Sequence, residues 1–100
     1  MNYTCTAKHL FKMSEKIHMS VGGIILDSGC GDYPLEEMKK IAPVLSDVEK
    51  RRIITRLMNA ARSYVQRAWA EDQPENIERM LDNSAAMLDR AERWKMAFGW

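Results

Sequence analysis

The chain has 100 residues, 46% of them hydrophobic and 29% charged, and carries a formal net charge of +1. That length supports one modest core, and the balanced charge lacks the basic excess usual in nucleic-acid binders. No apolar run approaches the ~18 residues of a membrane span. His9, Lys12, Glu15 and Lys16 interrupt any signal-peptide pattern. A soluble cytoplasmic protein is therefore expected, with Cys5 and Cys30 as free thiols.

From the N-terminus, Leu10, Ser14, Ile17, Val21 and Ile24 recur at alternating spacings of four and three, which places them on one helical face. Thr6 can cap this helix, and Phe11, Met13 and Ile25 widen its apolar side. Gly22 and Gly23 weaken it by up to ~2 kcal/mol relative to alanine. Two forms are open for residues 21–27: helix through Leu26, or a helix ending near Ser20 followed by a short strand from Gly23 to Asp27. Ser28-Gly29-Cys30-Gly31 is a loop in both. Asp32-Tyr33-Pro34-Leu35-Glu36-Glu37 then opens a short helix, with proline and acids in the first turn where the dipole favours them. Pro43 stops it near Ala42.

The strongest signal begins at Ser46, which forms a capping box with Glu49. Over about 47–71, Ile54, Leu57, Met58, Ala61, Tyr64, Val65, Ala68 and Trp69 share one stripe, and Arg52, Arg56 and Arg67 lie opposite. Asp72-Gln73-Pro74-Glu75 reads as a break and restart, with Asp72 as cap and Pro74 in the first turn. The last helix, about 73–98, has Ile77, Leu81, Ser84, Leu88 and Ala91 as its central stripe. Met80, Met87 and Trp94 run along one flank, with Phe98 close by. So short a connection folds the two helices back on each other. The expected fold is all-α: a single domain over residues 1–100, a small bundle of about four helices built on a long C-terminal antiparallel hairpin.

Several motifs resemble catalytic ones. Leu26-Asp27-Ser28-Gly29-Cys30-Gly31 resembles the first motif of S-adenosylmethionine-dependent methyltransferases. That family needs a parallel sheet, whereas long helices follow here, and Tyr33 occupies the later glycine position. Leu26-Asp27-Ser28-Gly29 also resembles the catalytic turn of dimeric aspartic proteases, which would pair Asp27 with its symmetry mate. That fold is almost entirely strand. Cys5, His9, His18 and Cys30 lack the paired spacing that anchors zinc, and His9 and His18 lie on opposite sides of their helix. No catalytic, cofactor or metal site is expected.

Eight methionines and three tryptophans are many for so small a core. Methionine adapts to irregular partner surfaces, and tryptophan dominates interface hot spots. The expectation is a non-enzymatic protein-interaction module, a small adaptor, regulator or inhibitor, with Met80, Met87, Trp94, Phe98 and Trp100 as the partner-binding set. A homodimer would bury the wide face of the last helix. In size and class the chain matches small accessory proteins of phages and other mobile elements. The alternative is DNA or RNA binding through Lys50, Arg51, Arg52 and Arg56, in a helix-turn-helix-like element around residues 35–58.

Overall fold

The computed structural model describes residues 6–29 and 31–100. It is an all-α bundle of five α-helices, α1 (Ala7–Ile17), α2 (Val21–Asp27), α3 (Leu35–Ile41), α4 (Asp47–Ala70) and α5 (Pro74–Phe98). A 3-10 turn at Ala42–Val44 joins α3 to α4. No strand occurs among the described residues.

The N-terminal repeat, legible as one helix or as helix and strand, forms two helices. Thr6 Oγ1 accepts the amide of His9 at 3.2 Å and starts α1. His18 then turns left-handed, at φ 55°, and its amide bonds back to the Ser14 carbonyl. Two residues later Ser20 Oγ accepts the amide of Gly23 at 3.0 Å and starts α2. A second cap so close to a reversal lets both short helices turn apolar sides to one core, which a continuous rod could not do. Residues 21–27 are thus helical, and the strand from Gly23 is not formed.

At the next junction the capping box is complete. Glu49 donates its amide to Ser46 Oγ at 3.1 Å, and its carboxylate accepts the Ser46 amide at 2.9 Å. The same carboxylate accepts the Ser20 hydroxyl at 3.0 Å, so one acid ties α2 to the start of α4. A Cβ on Gly22 would lie 2.2 Å from Glu49 Cδ, so this helical glycine makes room for the clamp. Pro34 serves as the N-cap of α3 instead of entering its first turn, and Pro43 is absorbed by the 3-10 turn.

Between the long helices, Asp72 is not the cap. Glu71 Oε1 accepts the amides of Asp72 and Gln73 at 3.1 and 3.2 Å, and α5 starts at Pro74. Gly99, at φ 76°, closes α5 in a left-handed conformation that costs glycine little.

The core lies at the base of the hairpin. Its largest fully buried side chains are Ile25, Met38, Ile41, Ile53, Leu57 and Trp94. The distal part of the hairpin runs on beyond it, and the molecule measures 46 × 32 × 23 Å.

Candidate functional site

The seam between α4 and α5 is made of small residues. Ala61, Ala68 and Ser84 are its buried positions away from the base, and Ala91 continues it into the core. Ser84 Oγ donates to the main-chain carbonyl of Ala61 at 2.8 Å. A serine side chain that reaches the backbone of a neighbouring helix requires axes near the close end of the usual ~8–10 Å range. Such closeness leaves no room for large side chains in the seam, so they go to its two flanks.

One flank is covered. Trp94 is 0% exposed, and Met87 and Phe98 pack against the core around it. Tyr33, Trp94, Phe98 and Trp100 form a chain of ring contacts at 6.3, 5.5 and 5.2 Å. Trp94 is thereby removed from the partner-binding set expected of the sequence: it is the largest core residue, packed against Tyr33 and Phe98 of its own chain. Its Nε1 has no hydrogen-bond partner among the described residues. Of the other four, Met80, Met87 and Phe98 are half-buried and Trp100 is 55% exposed. These five residues do not form one surface.

The other flank is open. Met58, Leu81 and Leu88 are 37, 45 and 41% exposed. Met58, Ala61, Arg62, Val65, Ser84 and Leu88 line a shallow groove of about 180 Å³ between the two helices. Near the hairpin tip Trp69 is 80% exposed. The periodicity puts Met58, Trp69, Leu81 and Leu88 on interior stripes, and here they are surface. Ile53, absent from the expected stripe, is fully buried. The available clue was the seven-residue spacing of small residues, Ala61 with Ala68 and Ser84 with Ala91, which marks the seam more narrowly than hydrophobicity does. A smaller apolar patch, Met13, Ile17 and Met19, lies along α1 and α2.

Charge is segregated between the long helices. From Lys50 to Ala70, α4 carries six cations and no acid; α5 carries Glu75, Glu78, Asp82, Asp89 and Glu92 against four cations. The four basic residues considered for nucleic acid are not equivalent. Lys50 Nζ lies 5.5 Å from the centroid of the Phe98 ring, and Arg56 donates to the Leu26 carbonyl at 2.6 Å. Arg51 and Arg52 are exposed and form no ion pair among the described residues. With Val48, Thr55 and Arg56 they line a depression of about 380 Å³ on the outside of α4.

The segment with catalytic look-alikes is held as structure. Ile24 to Asp27 belong to α2, not to a strand, and Ser28 Oγ donates to the Ile24 carbonyl at 2.8 Å. The loop that follows is clamped to α5: Arg93 donates to Asp32 Oδ1 at 2.7 Å and to the Tyr33 carbonyl, and Arg90 reaches the Gly29 carbonyl at 3.4 Å. Burial works against the Arg93 charge, but its bonds and charge contacts with Asp32 and Asp89 outweigh that and raise its pKa. Glu37 plays a similar part for α1, accepting the Ala7 amide at 2.8 Å and Lys40 Nζ at 3.0 Å. The bond from Ala7, followed by Lys40, holds its carboxyl below the usual glutamate value. No cluster of three potential metal ligands occurs among the described residues. His9 and His18 are exposed, and Cys5 and Cys30 lie outside the described residues. No helix among them is long and apolar enough to cross a membrane.

Comparison with known proteins finds no matching family model, no matching curated protein and no matching solved structure.

Proposed function

We propose that this chain is a non-enzymatic protein-interaction module that works by presenting the open face of the α4–α5 hairpin to a protein partner. The observation that carries the reading is the row of Met58, Leu81 and Leu88, each more than a third exposed, on two capped helices of 24 and 25 residues. A preformed rigid face loses little conformational entropy on binding. An apolar strip edged by charged residues is the usual anatomy of a protein interface. The face differs from the one read in the sequence, where Trp94 and its neighbours on α5 were the expected contacts.

The test is a double variant, Met58→Glu with Leu88→Glu. Both sites are exposed, so helicity and melting temperature stay close to the parent. Association, read by sedimentation and by proximity crosslinking, is lost at least tenfold. Parent-like association in both measurements overturns the reading.

Nucleic-acid binding is a second reading, favoured by one observation, the acid-free stretch from Lys50 to Ala70 with exposed Arg51 and Arg52. It predicts a mobility shift whose log affinity falls with log salt by ~0.9 per neutralised phosphate on duplex DNA. Arg51→Glu with Arg52→Glu should abolish that shift. Absence of a shift at low salt discards it.

A further inference from the structure

The side chains that border the open groove are sorted by charge. Counted from the seam at about 100° per residue, Arg51 and Arg62 share the open edge of α4 with Met58 and Trp69. By the same count Glu78 and Glu92 share the open edge of α5 with Leu81 and Leu88, and Asp82 points away from the seam. None of the four charged side chains on these edges has an ion pair among the described residues. An apolar strip with a basic rail on one side and an acidic rail on the other complements a rotated copy of itself. We propose that a second copy of this chain covers the open face, about a two-fold axis parallel to the helices, so that the basic edge of each α4 lies along the acidic edge of the other copy's α5. This inference rests on the interaction-module reading and names its partner.

Register makes the pairing specific. The bond from Ser84 Oγ to the Ala61 carbonyl sets those two residues level. Because α4 and α5 run in opposite directions, Arg62 is level with Asn83, about 7.5 Å along the axis from Glu78. Arg51 is level with Trp94, about 3 Å along the axis from Glu92. A two-fold axis parallel to the helices preserves these levels. Arg51 then meets Glu92 of the other copy, a pair that occurs on both sides of the axis. An axis across the helices would stack α4 on α4 and bring basic edge to basic edge, a repulsive arrangement.

The dimensions also suit a second copy. Helices of roughly 36 Å lying about 8–10 Å apart present a face on the order of 650 Å². That is close to the ~800 Å² per partner of a standard stable interface. The resulting four-helix layer has antiparallel neighbours throughout and the seam residues at its centre.

Sedimentation velocity over a concentration series, with circular dichroism as the check on folding, reads the proposal. The parent should show a concentration-dependent dimer. Arg51→Glu and Glu92→Arg should each raise the dissociation constant about tenfold, because symmetry places each change in the interface twice. The double variant, with the two charges exchanged, should return to within about threefold of the parent. Arg51 and Glu92 form no ion pair within one chain, so restoration by exchange reports the contact between copies. Arg67→Glu, the same charge change on the other flank, should have little effect. A parent that stays monomeric to millimolar concentration, or a double variant no better than its singles, overturns the proposal.

A photo-crosslinking amino acid at position 88, activated in an extract of the source cell, separates this failure from that of the underlying reading. Crosslinks between two copies support the dimer. Crosslinks to a different protein, with the parent monomeric, overturn the dimer and leave the interaction module standing. Crosslinks to neither overturn both.

Discussion

On one flank of the α4–α5 seam, Trp94 is fully buried with Met87 and Phe98 packed around it; on the other, Met58, Leu81 and Leu88 stay more than a third exposed. Side-chain chemistry does not separate the two groups, since each is an apolar row at helical spacing beside the same small-residue seam. The difference lies in what arrives from outside the hairpin. The short helices α1–α3 are threaded against the Trp94 flank by Arg93 on the Asp32–Tyr33 loop and by Glu49 on Ser20. Nothing among the described residues reaches the other flank. A two-helix element with small residues at its seam thus has two apolar faces, and the described residues cover one.

The comparison predicts unequal damage from equal truncations. Trp94→Ala should cost ~3–5 kcal/mol, a large part of the ~5–15 kcal/mol that holds a typical domain. Leu88→Ala, in dilute monomeric protein, should cost only ~1–2 kcal/mol because about two-fifths of the side chain is already exposed. Urea denaturation of both variants measures the contrast, and similar losses would erase it. Trp94→Phe sharpens it further: no hydrogen bond to the indole is lost, so only the reduced volume should register, at about 1–2 kcal/mol.

A smaller effect tests how the covering lobe is held. Arg93→Met keeps the stem that packs on α5 and removes the bonds to Asp32 and the Tyr33 carbonyl. It should cost ~1–2 kcal/mol. Hydrogen exchange should show the amides of residues 31–33 opening ahead of those of α4 and α5. Equal protection of both regions would mean that packing alone holds the lobe.

The smallest is a pH effect. Glu37 has a lowered pKa in the folded chain because its carboxylate accepts the Ala7 amide and then pairs with Lys40. Its contribution is therefore complete above the ordinary glutamate value, about 4.3. It is lost as pH falls through that value and then through the lower folded one. Glu37→Gln should flatten this part of the acid limb and speed exchange at the start of α1 at neutral pH. An acid limb unchanged by the substitution would remove Glu37 from the clamp.

Much of this was legible before any coordinates. Thr6, Ser46 with Glu49, and Pro74 mark helix starts because a helix leaves its first amides unsatisfied, and these side chains or a missing amide answer that need locally. The short connection at residues 71–73 forces the hairpin. Where reading failed, the deciding contact was not local. Ser20 restarts a helix within a repeat that looks continuous, and Glu71 displaces Asp72 at the tip by bonding to the next two amides. Arg56 and Lys50 sit in a basic run but point to Leu26 and Phe98, partners that sequence spacing does not reveal.

The open face of the hairpin shows the same division. Local caps, helical periodicity and the connection length by themselves determined two long antiparallel helices with apolar arcs wider than a single contact. Periodicity specifies which residues share a side of a helix, because 3.6 residues per turn is a property of the backbone alone. It carries no information about the direction from which a neighbour comes. Only the tertiary structure decided that α1–α3 cover the Trp94 flank and that Met58, Leu81 and Leu88 face outward, because that choice depends on where the chain before residue 46 can reach.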